Sequence, residues 1–160
     1  MGTIYDPSEV FQLAVRIEEN GERFYKEMAE RFDEPDIKEL FIFLADEEIE
    51  HKKIYNHLYQ EFKTFDPPVE YAAEYFEYIK IYADQVMFNK KEFEENISNI
   101  TDIISALDFA IDSELNAILY FSEMKWMVLK EKRDIVDKII KEERMHFIRL
   151  SNMKKKKENK

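Results

Sequence analysis

One helical pattern is written twice in this chain. Ala14-x-x-x-Glu18-x-x-Gly21-x-x-Phe24-Tyr25-x-x-Met28 recurs as Ala110-x-x-x-Glu114-x-x-Ala117-x-x-Tyr120-Phe121-x-x-Met124, and Glu48-x-x-His51 recurs as Glu143-x-x-His146. Residues three and four apart share a helix face, so each segment presents one stripe. A repeat of helical segments predicts two similar halves that bury their stripes against each other. Each half then brings one lone Glu and one Glu-x-x-His to a common interior.

Helix breakers are scarce enough for this reading, with two Gly and four Pro in 160 residues, and the 45% hydrophobic content supports a globular core. The length suits one domain. The expected fold is all-α, an antiparallel four-helix bundle with one long crossover carrying a short helix. We read a single domain over residues 1–160, with helices over about 7–32, 35–62, 101–129 and 132–153 and the crossover over about 63–100. Asp6-Pro7 opens the first helix, as cap and first-turn proline, and Asp33-Glu34-Pro35 ends it. The second stripe runs Ile37, Phe41, Leu44, Glu48, His51, Tyr55, Leu58 and Phe62. Pro67-Pro68 starts the crossover, where the spacing of Tyr71, Tyr75, Tyr78, Ile79, Tyr82 and Val86 predicts its short helix.

Periodicity misleads at one place. The stripe Leu107, Ala110, Glu114, Ala117, Phe121, Met124 continues in phase through Val136, Ile139, Glu143, His146 and Leu150, as if the last two helices were one. At about 1.5 Å per residue such a rod would hold Glu114 and Glu143 roughly 40 Å apart. The repeat projects the Asp33-Glu34-Pro35 break onto Leu129-Lys130-Glu131, and the turn is placed there.

Glu18, Glu48, Glu114 and Glu143 stand where apolar residues belong, joined by His51 and His146. Left charged and unpaired in a core, they would be strongly destabilising. Two divalent cations would neutralise four carboxylates, and the oxygen and nitrogen donors suit iron first, then manganese, with zinc also admissible. The chain has no cysteine, which removes disulfides, thiolate sites and thiol nucleophiles within it. A net charge of −11 disfavours nucleic acid and anionic membranes. The N-terminal residues have no signal-peptide character and no stretch reaches membrane-span length, so a cytoplasmic protein is expected.

The lone Glu18 with Tyr25, the pair Glu48-x-x-His51, the lone Glu114 and the pair Glu143-x-x-His146 resemble the ferritin-like di-iron carboxylate proteins, specifically the rubrerythrin domain, over residues 8 to 153. The resemblance implies a site in which Glu48 and Glu143 bridge two irons, Glu18 and Glu114 cap them, and His51 and His146 take one each. Rubrerythrins carry a further glutamate at the position of Ala117 and often append a cysteine-ligated rubredoxin domain. Here electrons would come from an external donor such as a rubredoxin-like protein.

The implied activity is reduction of hydrogen peroxide or dioxygen. The alternative is iron handling, as a ferroxidase or storage-like protein, and a third reading treats the polar cluster as a structural device without metal. Tyr25 lies two turns from Glu18 on the same face and is a candidate hydrogen-bond partner of a ligand carboxylate. His57 is off the stripe and receives no role, and Lys154 to Lys157 read as a solvated, frayed tail. The long crossover permits a homodimer, including a domain-swapped one.

Overall fold

The computed structural model describes residues 8–63, 73–82 and 90–159. Its helices are α1 (Glu9–Arg31), α2 (Pro35–Lys63), α3 (Ala73–Tyr82), α4 (Lys90–Asn99), α5 (Ile103–Met124) and α6 (Arg133–Glu158). Two 3-10 turns, Lys125–Met127 and Lys130–Lys132, separate α5 from α6. The proposed caps Asp6-Pro7, the Pro67-Pro68 pair, Tyr71 and Val86 lie outside the described residues.

Local chemistry sets the helix ends. Phe32 turns extended after α1, at φ −109° and ψ 132°, and Pro35 opens α2, where a missing amide hydrogen costs nothing. Asp102 caps α5 by accepting from the Ser105 amide at 2.8 Å and the Ser105 hydroxyl at 2.9 Å. Val128 is extended, with ψ of 147°, and Leu129, at φ −49° and ψ 139°, is also non-helical, so the two break the apparent rod between α5 and α6. The result is a ferritin-like bundle built from two helical hairpins, α1 with α2 and α5 with α6, with two short helices between them.

Two apolar clusters fill it. One joins Phe11, Ala14 and Ile17 of α1, Tyr55 and Leu58 of α2, Ala117 and Phe121 of α5, and Val136 and Ile139 of α6. The other joins Phe24, Met28, Phe41, Leu44, Leu107, Ala110 and Leu150. The N-terminal half of α1 thus shares a cluster with the C-terminal half of α5. The two copies of the repeat therefore run antiparallel, and their pseudo-symmetry exchanges one apolar cluster for the other. Between the clusters on every long helix lie the Glu and His positions.

The crossover holds two short helices where one was expected. Ile79 of α3 is 2% exposed in the first cluster, and Ile97 and Ile100, at and just beyond the end of α4, are buried in the second. The α4 segment Lys90–Asn99 is mostly polar, which conceals its period. Its attachment is to α1: Arg31 donates to the Ile97 carbonyl at 2.8 Å and the Ile100 carbonyl at 2.9 Å, while Arg23 pairs with Glu94. Carbonyls at a helix end lack the amides of a following turn, and the Ile97 carbonyl has only a long bond, 3.3 Å, from the Ile100 amide, so an arginine can complete them.

The C-terminal lysines correct the frayed-tail expectation. Helix α6 continues to Glu158, Lys154 reaches Asp108 at 2.6 Å, and Lys157, only 8% exposed, lies 2.6 Å from Glu34 and 2.9 Å from Asp36. Lys156 and Lys157 hold the Asp36 carboxyl below the ordinary carboxylate range. The basic end of α6 is matched to the acidic turn before α2, a pairing that needs the fold to exist. Among the described residues no helix is long and apolar enough to cross a membrane.

Arg31→Ala should destabilise the protein by about 2 kcal/mol, within the range for hydrogen bonds to a charged group. Lys53→Ala, at a side chain 66% exposed, should change stability by less than about 0.5 kcal/mol. Urea denaturation of both variants measures the difference, and equal midpoints would show that α4 is not anchored through Arg31.

Candidate metal centre

The six side chains singled out in the sequence meet in one layer. None of Glu18, Glu48, His51, Glu114, Glu143 and His146 is more than 4% exposed. They form two overlapping groups, Glu18, Glu48, His51 and Glu143 on one side and Glu48, Glu114, Glu143 and His146 on the other. Within each group one oxygen or nitrogen per residue lies within 4.8 Å of the rest. Glu48 and Glu143 belong to both groups, and all six residues come from one chain. Gly21 leaves room for this, since a Cβ there would approach Glu48 Oε2 to 2.7 Å.

Both imidazoles turn Nδ1 inward. His51 Nδ1 lies 2.7 Å from Glu143 Oε1 and 3.6 Å from Glu18 Oε2. His146 Nδ1 lies 3.3 Å from Glu143 Oε2 and 3.6 Å from Glu114 Oε1. The rings stack with centroids 5.8 Å apart. Their outer nitrogens meet residues that the sequence reading passed over: His51 Nε2 is 2.7 Å from Glu142, and His146 Nε2 is 3.8 Å from Glu47. The exchange is reciprocal, because the Glu preceding each Glu-x-x-His faces the histidine of the other copy. The doubled acids Glu47-Glu48 and Glu142-Glu143 carried that signal, although in a chain with 35 acidic residues it does not stand out.

Two tyrosines flank the layer. The Tyr25 hydroxyl donates to Glu114 Oε1 at 2.5 Å. Tyr55, one turn beyond His51, is fully buried and its hydroxyl has no hydrogen-bond partner. Its ring packs on Phe121 at 4.8 Å, and burial, then the charge of Glu18, pushes its ionisation well up. His57 is exposed and pairs with Glu61 at 3.1 Å, on the outside of the bundle.

Electrostatics show how the layer tolerates its charges. Burial first, then repulsion from Glu143, raises Glu18 well above the ordinary range, and burial with repulsion from Glu18 raises Glu48. Burial and the Glu143 charge push Glu114 up to about 8. Burial would raise Glu143 also, but hydrogen bonds with Glu114, His146 and His51 outweigh it and hold this carboxyl below the ordinary range. Burial would lower both histidines, yet contacts with Glu143, and with Glu114 for His146, raise His51 to about 9 and His146 to about 10.

The layer thus favours neutral carboxyls beside charged imidazoles. Both Glu18 oxygens are buried without any hydrogen-bond partner. Buried carboxylate oxygens without donors, crowded with inward-facing imidazole nitrogens, form a donor set that fits a pair of divalent cations of the iron, manganese or zinc kind.

Comparison with known proteins agrees with this geometry. A family model described as rubrerythrin matches residues 9–154. A crystal structure from Thermotoga maritima, described as a ferritin-like diiron-carboxylate protein, is similar with a TM-score of 0.65 and 25% identity, over 97% of this chain and 98% of that one. No curated protein matches the chain.

His51→Ala and His146→Ala should each lower bound metal well below the about two ions expected of the parent. Elemental analysis after loading and desalting reads this out, and unchanged content in both variants would exclude the site. The metal-free protein should also lose stability as pH rises. Between their ordinary values, 4.5 for Glu114 and 6.5 for the histidines, and the raised values of about 8 to 10, the folded state keeps protons that the unfolded chain has released. Stability from these groups is therefore complete below the ordinary values and is lost through that window, while Glu143 acts oppositely at the acid end. Melting temperatures of metal-free protein between pH about 5 and 9 should fall, and those of metal-loaded protein should fall less.

Proposed function

Because the chain belongs to the rubrerythrin family, we propose that it is a di-iron carboxylate redox protein that reduces hydrogen peroxide or dioxygen with electrons from an external donor. The observation that carries this reading is the sharing of Glu48 and Glu143 between the two buried groups. Shared carboxylates are what a binuclear site requires, and two separate mononuclear sites would not need them. In this reading Glu18 and His51 complete one side and Glu114 and His146 the other.

Bound there, a pair of ferrous ions would supply the two electrons that turn one peroxide and two protons into two waters. The residues of the chain do the rest. Glu142, 2.7 Å from the outer nitrogen of His51, holds the His51 Nδ1 toward the interior, and Glu47 stands 3.8 Å from the outer nitrogen of His146. Tyr25 holds a proton on its hydroxyl 2.5 Å from Glu114, next to the carboxylates whose charge must be balanced during turnover. Burial and the neighbouring carboxylates raise the Tyr25 ionisation well above the ordinary value, so that proton is retained. The apolar clusters on both sides exclude bulk water and strengthen each of these contacts. In this reading the electrons come from a separate donor such as a rubredoxin-like protein.

A second reading, iron oxidation and handling, is favoured by Ala117, where the family resemblance would place another carboxylate. Without it, one ligand available for redox-linked exchange is missing. Stopped-flow absorbance after mixing ferrous-loaded protein with each oxidant separates the two. The peroxidase reading expects hydrogen peroxide to react at least about tenfold faster than dioxygen. The reverse order identifies a ferroxidase, and slow reaction with both oxidants identifies iron binding without dedicated turnover.

A further inference from the structure

A cavity of about 330 Å³ opens beside the metal centre, between α1, α4 and α5. Its inner end reaches Glu48, Glu114 and Tyr25, and its floor is made by Gly21 and Ala117. These two are equivalent positions of the sequence repeat, one on each of two helices that line the same space. Their neighbours in the repeat are large, with Phe24 matched to Tyr120 and Tyr25 to Phe121. Both copies are small at this position: Gly21 admits the Glu48 side chain, and Ala117 lines the space beside it.

Size separates this space from a path for the oxidant alone. A water occupies about 30 Å³ of liquid, so hydrogen peroxide needs roughly two waters' worth of volume. The cavity holds several times that, and falls in the range of small-molecule sites, about 300–1,000 Å³. Its wall is aromatic: Phe24, Phe93 and Phe109 line it, with Phe109 centroids 4.7 Å from Phe24 and 5.9 Å from Phe93.

Charge restricts the ligand further. Among the described residues no Lys, Arg or His lines the cavity, whereas Asp112 and Glu92 are exposed lining residues, with the amides of Asn96 and Asn116. The nearby Arg23, over the Phe93 ring at 5.8 Å, is paired with Glu94, so a carboxylate or phosphate ligand would meet mainly like charge there. A cation with an apolar body finds both an aromatic wall and an acidic mouth.

We propose that this cavity binds a small primary amine with an aromatic or compact apolar body, held with its body against Phe24, Phe93 and Phe109 and its ammonium toward Asp112. A molecule so placed has its apolar end next to Glu48 and Glu114, at the open flank of the metal centre. The link to catalysis rests on the metal-centre reading, but binding does not.

Benzylamine and phenylacetate, similar in shape and opposite in charge, test the proposal by calorimetric titration of the zinc-loaded protein. Benzylamine should bind saturably in the millimolar range and phenylacetate at least about tenfold more weakly. Ala117→Phe, which fills the floor, and Phe93→Ala, which removes part of the wall on the short α4, should each weaken benzylamine by about tenfold or more with zinc content unchanged. No saturable benzylamine binding, equal affinity for both probes, or unchanged affinity in both variants would overturn it. Titrating His51→Ala separates the two readings: amine binding kept while metal is lost leaves the cavity standing, and a parent that takes up no metal but binds benzylamine in an Ala117-dependent way refutes only the metal centre.

Discussion

The structure depends on one electrostatic problem, four carboxylates placed in a layer between two apolar clusters. An ion buried without compensation costs several kcal/mol, so four of them would exceed the whole stability of an ordinary domain, about 5–15 kcal/mol. Burial pushes Glu18, Glu48 and Glu114 toward their neutral forms, and both imidazoles are set against Glu143, whose carboxyl they help to hold down. The Glu18 oxygens meet no hydroxyl, amide or amine donor. Divalent cations bound in this layer would offset the same charge and would couple metal binding to folding.

The repeat turns this problem into a geometric solution. Antiparallel packing of two like hairpins brings each Glu-x-x-His opposite the other, so that Glu48 and Glu143 are shared and the acids before them, Glu47 and Glu142, face the other copy's histidine. The same symmetry is broken where function can differ. Tyr25 reaches Glu114, but the residue equivalent to Tyr25 is Phe121, and Glu18 faces the unpartnered Tyr55 hydroxyl's side of the layer instead. The Glu114 end of the centre thus has a tyrosine hydroxyl donating to it, and the Tyr55 hydroxyl on the Glu18 side makes no hydrogen bond.

The crossover adds what the repeat lacks. Helix α4 has no counterpart in the repeated halves, and Arg31, Ile97 and Ile100 fasten it against α1 and the second apolar cluster. It supplies Phe93 and Asn96 to the cavity over Gly21 and Ala117. One flank of the centre is consequently shaped by a segment whose sequence is mostly polar.

The sequence by itself determined the helical class, the break between α5 and α6, and which six side chains would share a layer. Each of these follows from spacing within one helix or from the repeat, and helix geometry fixes the face of a residue from its neighbours three and four positions away. Tertiary structure alone decided the rest. That α4 is a helix, that Lys157 is held by Glu34 and Asp36, that Glu142 meets His51 and that Tyr55 lies near Glu18 are contacts between residues far apart in the chain. The polar segments among them have no apolar period to betray their partners, because their neighbours are chosen by packing between helices and not by the helix that carries them.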